Sequence, residues 1–320
     1  MQLTQKKSRR GDLLTAAAVA MLLAVMAALL YTGSLTRQVT NMLIPTAVYI
    51  VMAVSLNLVV GLLGELSLGH AGFMSVGLFS GCLVAIALTN TALPLMVRLP
   101  VSMLAGGLTA AVFGLLVGLP TLRLRGDYLA IVTLACGEII KNIITNLRVT
   151  GGALGLNTSA IYAGAKELLP YGAALVLLTV AVMLNLKRDN RIAAESVGLS
   201  VTRYKLAVFV IAAFFAGCAG VLYGHSLANI KAAAFDYNMS IEILVIVVLG
   251  GMGSVPGSVV SAIVLTVLPE ALREVADYRM LVYAVVLILV MQATNNPAMK
   301  RFFGAACKSL TPKRKERAAL

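Results

Sequence analysis

The chain has no tryptophan, two histidines and four cysteines in 320 residues, and only 12% of its side chains are charged. Each shortage closes off a class of protein. A soluble domain carries about 25% charged and about 45–50% apolar residues, whereas this one is 60% hydrophobic. A water-soluble globule of this length cannot hide so much apolar surface, so lipid is the solvent for most of the chain. Cys82, Cys136, Cys218 and Cys307 show no CxxC or other paired spacing, which leaves no disulfide framework and no metal site. No HExxH, GxSxG or GxxxxGK[ST] stretch occurs, so the chain is read as a non-enzyme that hydrolyses no nucleotide of its own. The net charge of +13 reads as basic cytoplasmic loops, not as a nucleic-acid surface.

What is present is a series of apolar runs near 13–31, 42–60, 66–88, 97–119, 128–147, 170–186, 206–224, 241–268 and 280–293. A spanning helix needs about 20 such residues. The expected fold is therefore all-α and polytopic, a multi-helix bundle of about 8–10 membrane segments. Residues 1–12 form a basic N-terminus, 13–293 the transmembrane domain and 294–320 a basic tail. The start MQLTQKKSRRGD precedes a long apolar run with no small-x-small cleavage pattern after Tyr31, which reads as a retained first helix.

Lys and Arg set the orientation. The N-terminus, the loop near 120–127, the loop 187–205 and the tail hold 18 of the 26 basic residues. All four lie on the cytoplasmic side only if the number of crossings is even. Nine runs give an odd count, so run 241–268 is expected to fold back on itself. The place is Gly250-Gly251-Met252-Gly253-Ser254-Val255-Pro256-Gly257, where four glycines and a proline cannot hold a regular helix. Two short half-helices, or two steep spans, meeting at this break are expected. A second interruption, Gly61-Leu-Leu-Gly64-Glu65-Leu66-Ser67-Leu68-Gly69-His70, joins runs 42–60 and 66–88. Broken backbone at membrane depth needs protein or a water-filled cavity beside it, and paired interruptions in the two halves of a chain point to a transport pathway. Candidate pathway residues are Glu65, His70, Gly250, Gly251 and Gly253. Ser55 and Asn57 are candidates for bonds between helices.

Glu138, Lys141, Asn142, Thr145 and Asn146 share one face of the run DYLAIVTLACGEIIKNIITNL. A charge at the bilayer centre costs at least about 2.5–3.5 kcal/mol, so this stripe must face protein or water. Glu138 and Asn142 join the pathway candidates, with Glu138 pairing to Lys141 at i, i+3. The outer stretch Thr150-Gly151-Gly152-Ala153-Leu154-Gly155-Leu156-Asn157 reads as a flexible turn, with an anion-binding concavity as the sharper alternative.

The cytoplasmic loop 187–205 contains Ala193-Ala194-Glu195-Ser196-Val197-Gly198, a short stretch suited to docking a partner. It resembles the coupling segment of ABC importer permeases, with Ile192 in place of the usual acidic residue. SLNLVVGLLGELSLGHAGFMSVG, GDYLAIVTLACGEIIKN, RIAAESVGLSVTRYKLAVFVIAAFFAGCAGVLYG and SIEILVIVVLGGMGSVPG extend the likeness over residues 42–292. The chain is identified as similar to the LivM-type permeases of the branched-chain amino acid ABC transporter family. The tail departs from the family's Arg-Pro-x-Gly pattern. The resemblance implies a bacterial inner-membrane subunit, and the Lys and Arg distribution puts both termini on the cytoplasmic side. It implies as partners a second, homologous permease, two cytoplasmic ATPases that carry ATP and Mg, and a periplasmic substrate-binding protein. No cofactor is then bound by this chain. Ala193, Ala194, Glu195 and Gly198 would dock the ATPases. The implied cargo is a branched-chain amino acid, with urea or another small amide or acid as the alternative within the same family. An ATPase-independent transporter or channel is the reading from another class.

Overall fold

The computed structural model describes residues 17–21, 23–28, 30, 32, 36–91, 93–124, 126–186, 201–271, 285 and 288. The chain divides into two units, 1–267 and 268–320, and the helical bundle belongs to the first. Its helices are α1 (Ala17–Ala28), α2 (Arg37–Leu63), α3 (His70–Ala87), α4 (Leu95–Thr121), α5 (Asp127–Asn146), α6 (Ala165–Leu186), α7 (Val201–His225), α8 (Tyr237–Gly250) and α9 (Val255–Ala271). Seven helical stretches, α2 to α7 and the segment Ala232–Gly250, are long and apolar enough to cross a membrane. The chain is thus an all-α, multi-pass membrane protein. The run 280–293 and the tail lie outside the described residues, apart from helical Val285 and Ile288.

The helix α2 is the axis of the bundle and packs on α6, α7 and α8. Ile50 to Leu56 and Leu58 to Val60 lie within it at 3% exposure or less. A helix apolar all round has no solvent face to keep, so the centre is where it is stable. The second block is α3, α4 and α7. These three meet through glycine: a Cβ on Gly77 would overlap the backbone of Gly217, and one on Gly217 would lie 2.7 Å from Gly106 O. In lipid there is little hydrophobic force between helices, and close backbone approach at small residues supplies the contact.

Outward faces are apolar on α4, with Leu104, Leu108 and Leu116 exposed, and on α5, with Ile131, Ile139 and Ile143 exposed. The segments after α5 and α7 are stitched together by a two-stranded antiparallel ladder, β1 (Leu156–Asn157) and β2 (Asn229–Ile230). Thr158 N–H donates to Ala228 O at 2.9 Å and Ala163 N–H to His225 O at 3.0 Å. The glycine-rich stretch at 150–157 has a definite structure. Gly151, Gly152 and Gly155 have positive φ, and a Cβ on Gly155 would meet Ile230 O at 2.5 Å. The turn is built to let β1 approach β2.

Candidate functional site

Run 241–268 is two helices, as its glycines predict. The helix α8 ends at Gly250, Gly251 and Gly253 take positive φ at 88° and 81°, and α9 starts at Val255. In an unbroken helix, residues seven apart are separated by about 10 Å along the axis. Here a Cβ on Gly257 would overlap the carbonyl of Gly250, so the chain bends sharply at this point.

The other interruption is longer than a simple link between two helices. Gly64 closes α2 in the left-handed conformation, φ 67°, with its N–H on Val60 O. Residues 64–69 then have no regular structure before α3 opens at His70. Leu66 and Leu68 had placed these residues inside an apolar run starting at 66. They are half-buried in an irregular stretch whose buried members are Glu65, Ser67 and Gly69, so the apolar run does not mark a helix there. The segment is held from α5: Leu68 N–H donates to Thr133 Oγ1 at 3.1 Å, and Gly72 packs against Gly137.

The two interruptions touch. Asn57, fully buried on α2, accepts from Gly253 N–H at 2.6 Å and donates to Ser254 O at 3.0 Å and Ser258 Oγ at 2.7 Å. A Cβ on Gly61 would stand 2.6 Å from Gly253 Cα. One amide side chain thus satisfies backbone on both sides of a break that its own helix cannot reach.

Glu65 and His70 are both buried, at 8% and 1% exposure. Glu65 Oε1 pairs with Lys205 Nζ on the second turn of α7, while Glu65 Oε2 and Ser67 Oγ have no hydrogen-bond partner among the described residues. His70 Nε2 lies 2.8 Å from Ser55 Oγ, which donates to Met52 O at 3.0 Å. The serine has one proton, so the imidazole Nε2–H is the donor in this contact. His70 therefore ties the start of α3 to the middle of α2.

Glu138 and Lys141 form the i, i+3 pair expected of them, 28% and 18% exposed respectively. Asn142 and Asn146 are exposed, and Asn146 Nδ2 turns back to Asn142 O at 2.7 Å. Asn142 and Asn146 thus face away from this chain's own bundle, whereas Glu138, Lys141 and Thr145 lie half-buried at its flank. Ala193, Ala194, Glu195 and Gly198 lie outside the described residues, as does Ile192.

Glu242 is a charged residue of a spanning helix that escaped the sequence reading. It sits half-buried in α8, and Tyr49 OH on α2 donates to its Oε2 at 3.3 Å. A lone charge in a spanning segment was the available signal, but it was averaged away in a long apolar run.

Spanning helices with two chain breaks clasped at depth define a membrane transport protein of the permease class. Residues 38–291 match the family described as "Branched-chain amino acid transport system / permease component", and the chain belongs to that family. It is 34% identical to the high-affinity branched-chain amino acid transport system permease protein LivM of Salmonella typhimurium over 296 residues, covering 77% of this chain and 66% of that protein. The Escherichia coli protein of the same name is 34% identical over 290 residues with the same coverage. The chain thus spans slightly less than two thirds of the length of these curated relatives. The ribose import permease protein RbsC of Haemophilus influenzae is 23% identical over 287 residues, covering 82% of this chain and 86% of that protein. No solved structure matches.

Proposed function

We propose that this chain is the transmembrane half of an ATP-driven importer for branched-chain amino acids. It sits in a bacterial inner membrane, with both termini cytoplasmic. Its partners are a second permease, two ATPases docked on the loop 187–205, and a periplasmic binding protein. The substrate class follows the names of the LivM relatives. The observation that carries the mechanism is the Glu65–Lys205 ion pair. Lys205 lies seven residues after Gly198 and on the helix that follows the docking segment, and Glu65 stands in the irregular stretch that opens one of the two breaks.

A push on the loop 187–205 therefore moves α7, and Lys205 draws Glu65 with it. Glu65 lies four residues from Gly61, which abuts Gly253 in the other break. The movement reaches both discontinuities through direct contact, as a two-state change biased by nucleotide on the partner ATPases requires. The pair is well suited to switching. Among the described residues only one carboxylate oxygen is engaged, and a buried pair with an unsatisfied partner is more easily given up than a saturated one.

The test is reconstitution of the chain with its candidate partners in proteoliposomes. ATP-dependent uptake of labelled leucine is expected, and Gly198→Trp should abolish ATPase co-purification while the chain stays in the membrane. Leucine accumulation by this chain alone would place it among ATPase-independent transporters instead. A cysteine at residue 315 should resist an impermeant label added outside intact cells; labelling there would reverse the tail's orientation.

A further inference from the structure

We propose that Glu242 is the group that meets the α-ammonium of the passing solute at membrane depth, with Tyr49 positioning its carboxylate. The proposal deepens the importer reading and rests on it. In the helix YNMSIEILVIVVLG, Glu242 is the one charged side chain. Two helices meet at it: α8 carries it, and α2 supplies the Tyr49 hydroxyl at 3.3 Å. Two positions away on α8, Ser240 Oγ accepts from Ala71 N–H at 3.3 Å, which ties the helix that carries Glu242 to the opening of α3.

Among the described residues no Lys or Arg pairs with Glu242. The ion pairs Glu65–Lys205 and Glu138–Lys141 are made elsewhere. Phenol hydroxyls orient an anion but do not neutralise it. A carboxylate with hydroxyl company alone is therefore short of one positive charge, and an intramembrane acid of this kind marks a solute or ion path. It is half-buried, so part of it stays open to an arriving group. A primary ammonium suits the place. It supplies the missing charge, one N–H can go to Oε1 or Oε2, and a second can go to a phenol oxygen, which accepts while its own proton stays on the glutamate. A neutral or purely anionic solute gains nothing from this arrangement.

The experiment uses the reconstituted complex with leucine-loaded binding protein and ATP. Glu242→Gln keeps the shape and removes the charge. Its uptake is expected to fall at least about tenfold with unchanged ATPase co-purification, Glu242→Asp should retain more than Gln, and Tyr49→Phe should raise KM more than it lowers kcat. Wild-type uptake with E242Q within about twofold of it would overturn the ammonium role alone. Failure of the wild-type complex to take up leucine would overturn the importer reading, and this role with it. Should E242Q not reach the membrane, carbodiimide modification of Glu242 in the wild-type complex decides. Millimolar leucine should slow it and 4-methylpentanoate, which lacks the ammonium, should not; equal rates in both would refute the proposal.

Discussion

The side chain of Asn57 completes the backbone at Gly253, accepting its N–H at 2.6 Å across 196 positions of sequence. The same side chain donates to Ser254 O and Ser258 Oγ. The break between α8 and α9 is therefore held both by its own turn bonds, such as Ser254 N–H to Gly251 O at 2.9 Å, and by α2.

Asn57→Ala should loosen that break. It removes three hydrogen bonds and leaves the part-buried Gly253 N–H without its partner, while Ser258 Oγ keeps its bond to Ser254 O, a loss of about 1–3 kcal/mol. Thermal unfolding in detergent should show a lower midpoint, and cysteine accessibility at residue 252 should rise. An unchanged midpoint would mean that water replaces the amide without loss.

Gly217→Val tests the helix seam. Its Cβ would lie 2.5 Å from Ala110 Cβ and 2.7 Å from Gly106 O, and backbone cannot step aside as a side chain can. Overpacking there should cost about 3 kcal/mol or more, seen as loss of folded protein in the membrane. Gly164→Ala is the control. Nothing lies within 4 Å of its Cβ position, and stability should be unaltered.

Charge reversal addresses the strut between α7 and the first break. Glu65→Lys and Lys205→Glu should each uncouple ATP hydrolysis from uptake, and the double exchange should restore part of it. The coupling energy expected from such a cycle is about 1–3 kcal/mol. Additive effects of the two single changes would show that the pair carries no signal.

Glu138→Ala removes one member of the polar stripe on α5 while leaving the docking loop untouched. Uptake should drop several-fold with ATPase association intact. Full uptake would assign the stripe to solvent contact only.

The spans, the split at 250–255 and the Glu138–Lys141 pair were legible because each is local. Hydropathy, glycine spacing and an i, i+3 offset are all contained in one stretch of chain. The boundary at His70 was missed because Leu66 and Leu68 read the same in an irregular segment as in a helix. The partners of Asn57 and Lys205 were out of reach for a different reason. Ser254 and Glu65 lie 197 and 140 residues away, and nothing in either neighbourhood specifies the other. Asn57 was legible as an interhelical bonder, though not the break it would serve. Lys205 registered only as one more cytoplasmic charge, which hid its role as a counter-ion. The docking residues Ala193 to Gly198 fall outside the described residues, so their part rests on resemblance.

The glycine contacts among α3, α4 and α7 have a mechanical consequence. Where main chain lies directly on main chain, there are no rotamers to rearrange and no compliant layer to absorb a shove. That trio must turn as a solid block. Whatever gives way when the molecule changes shape has to lie at the two places where the peptide ribbon is already unwound.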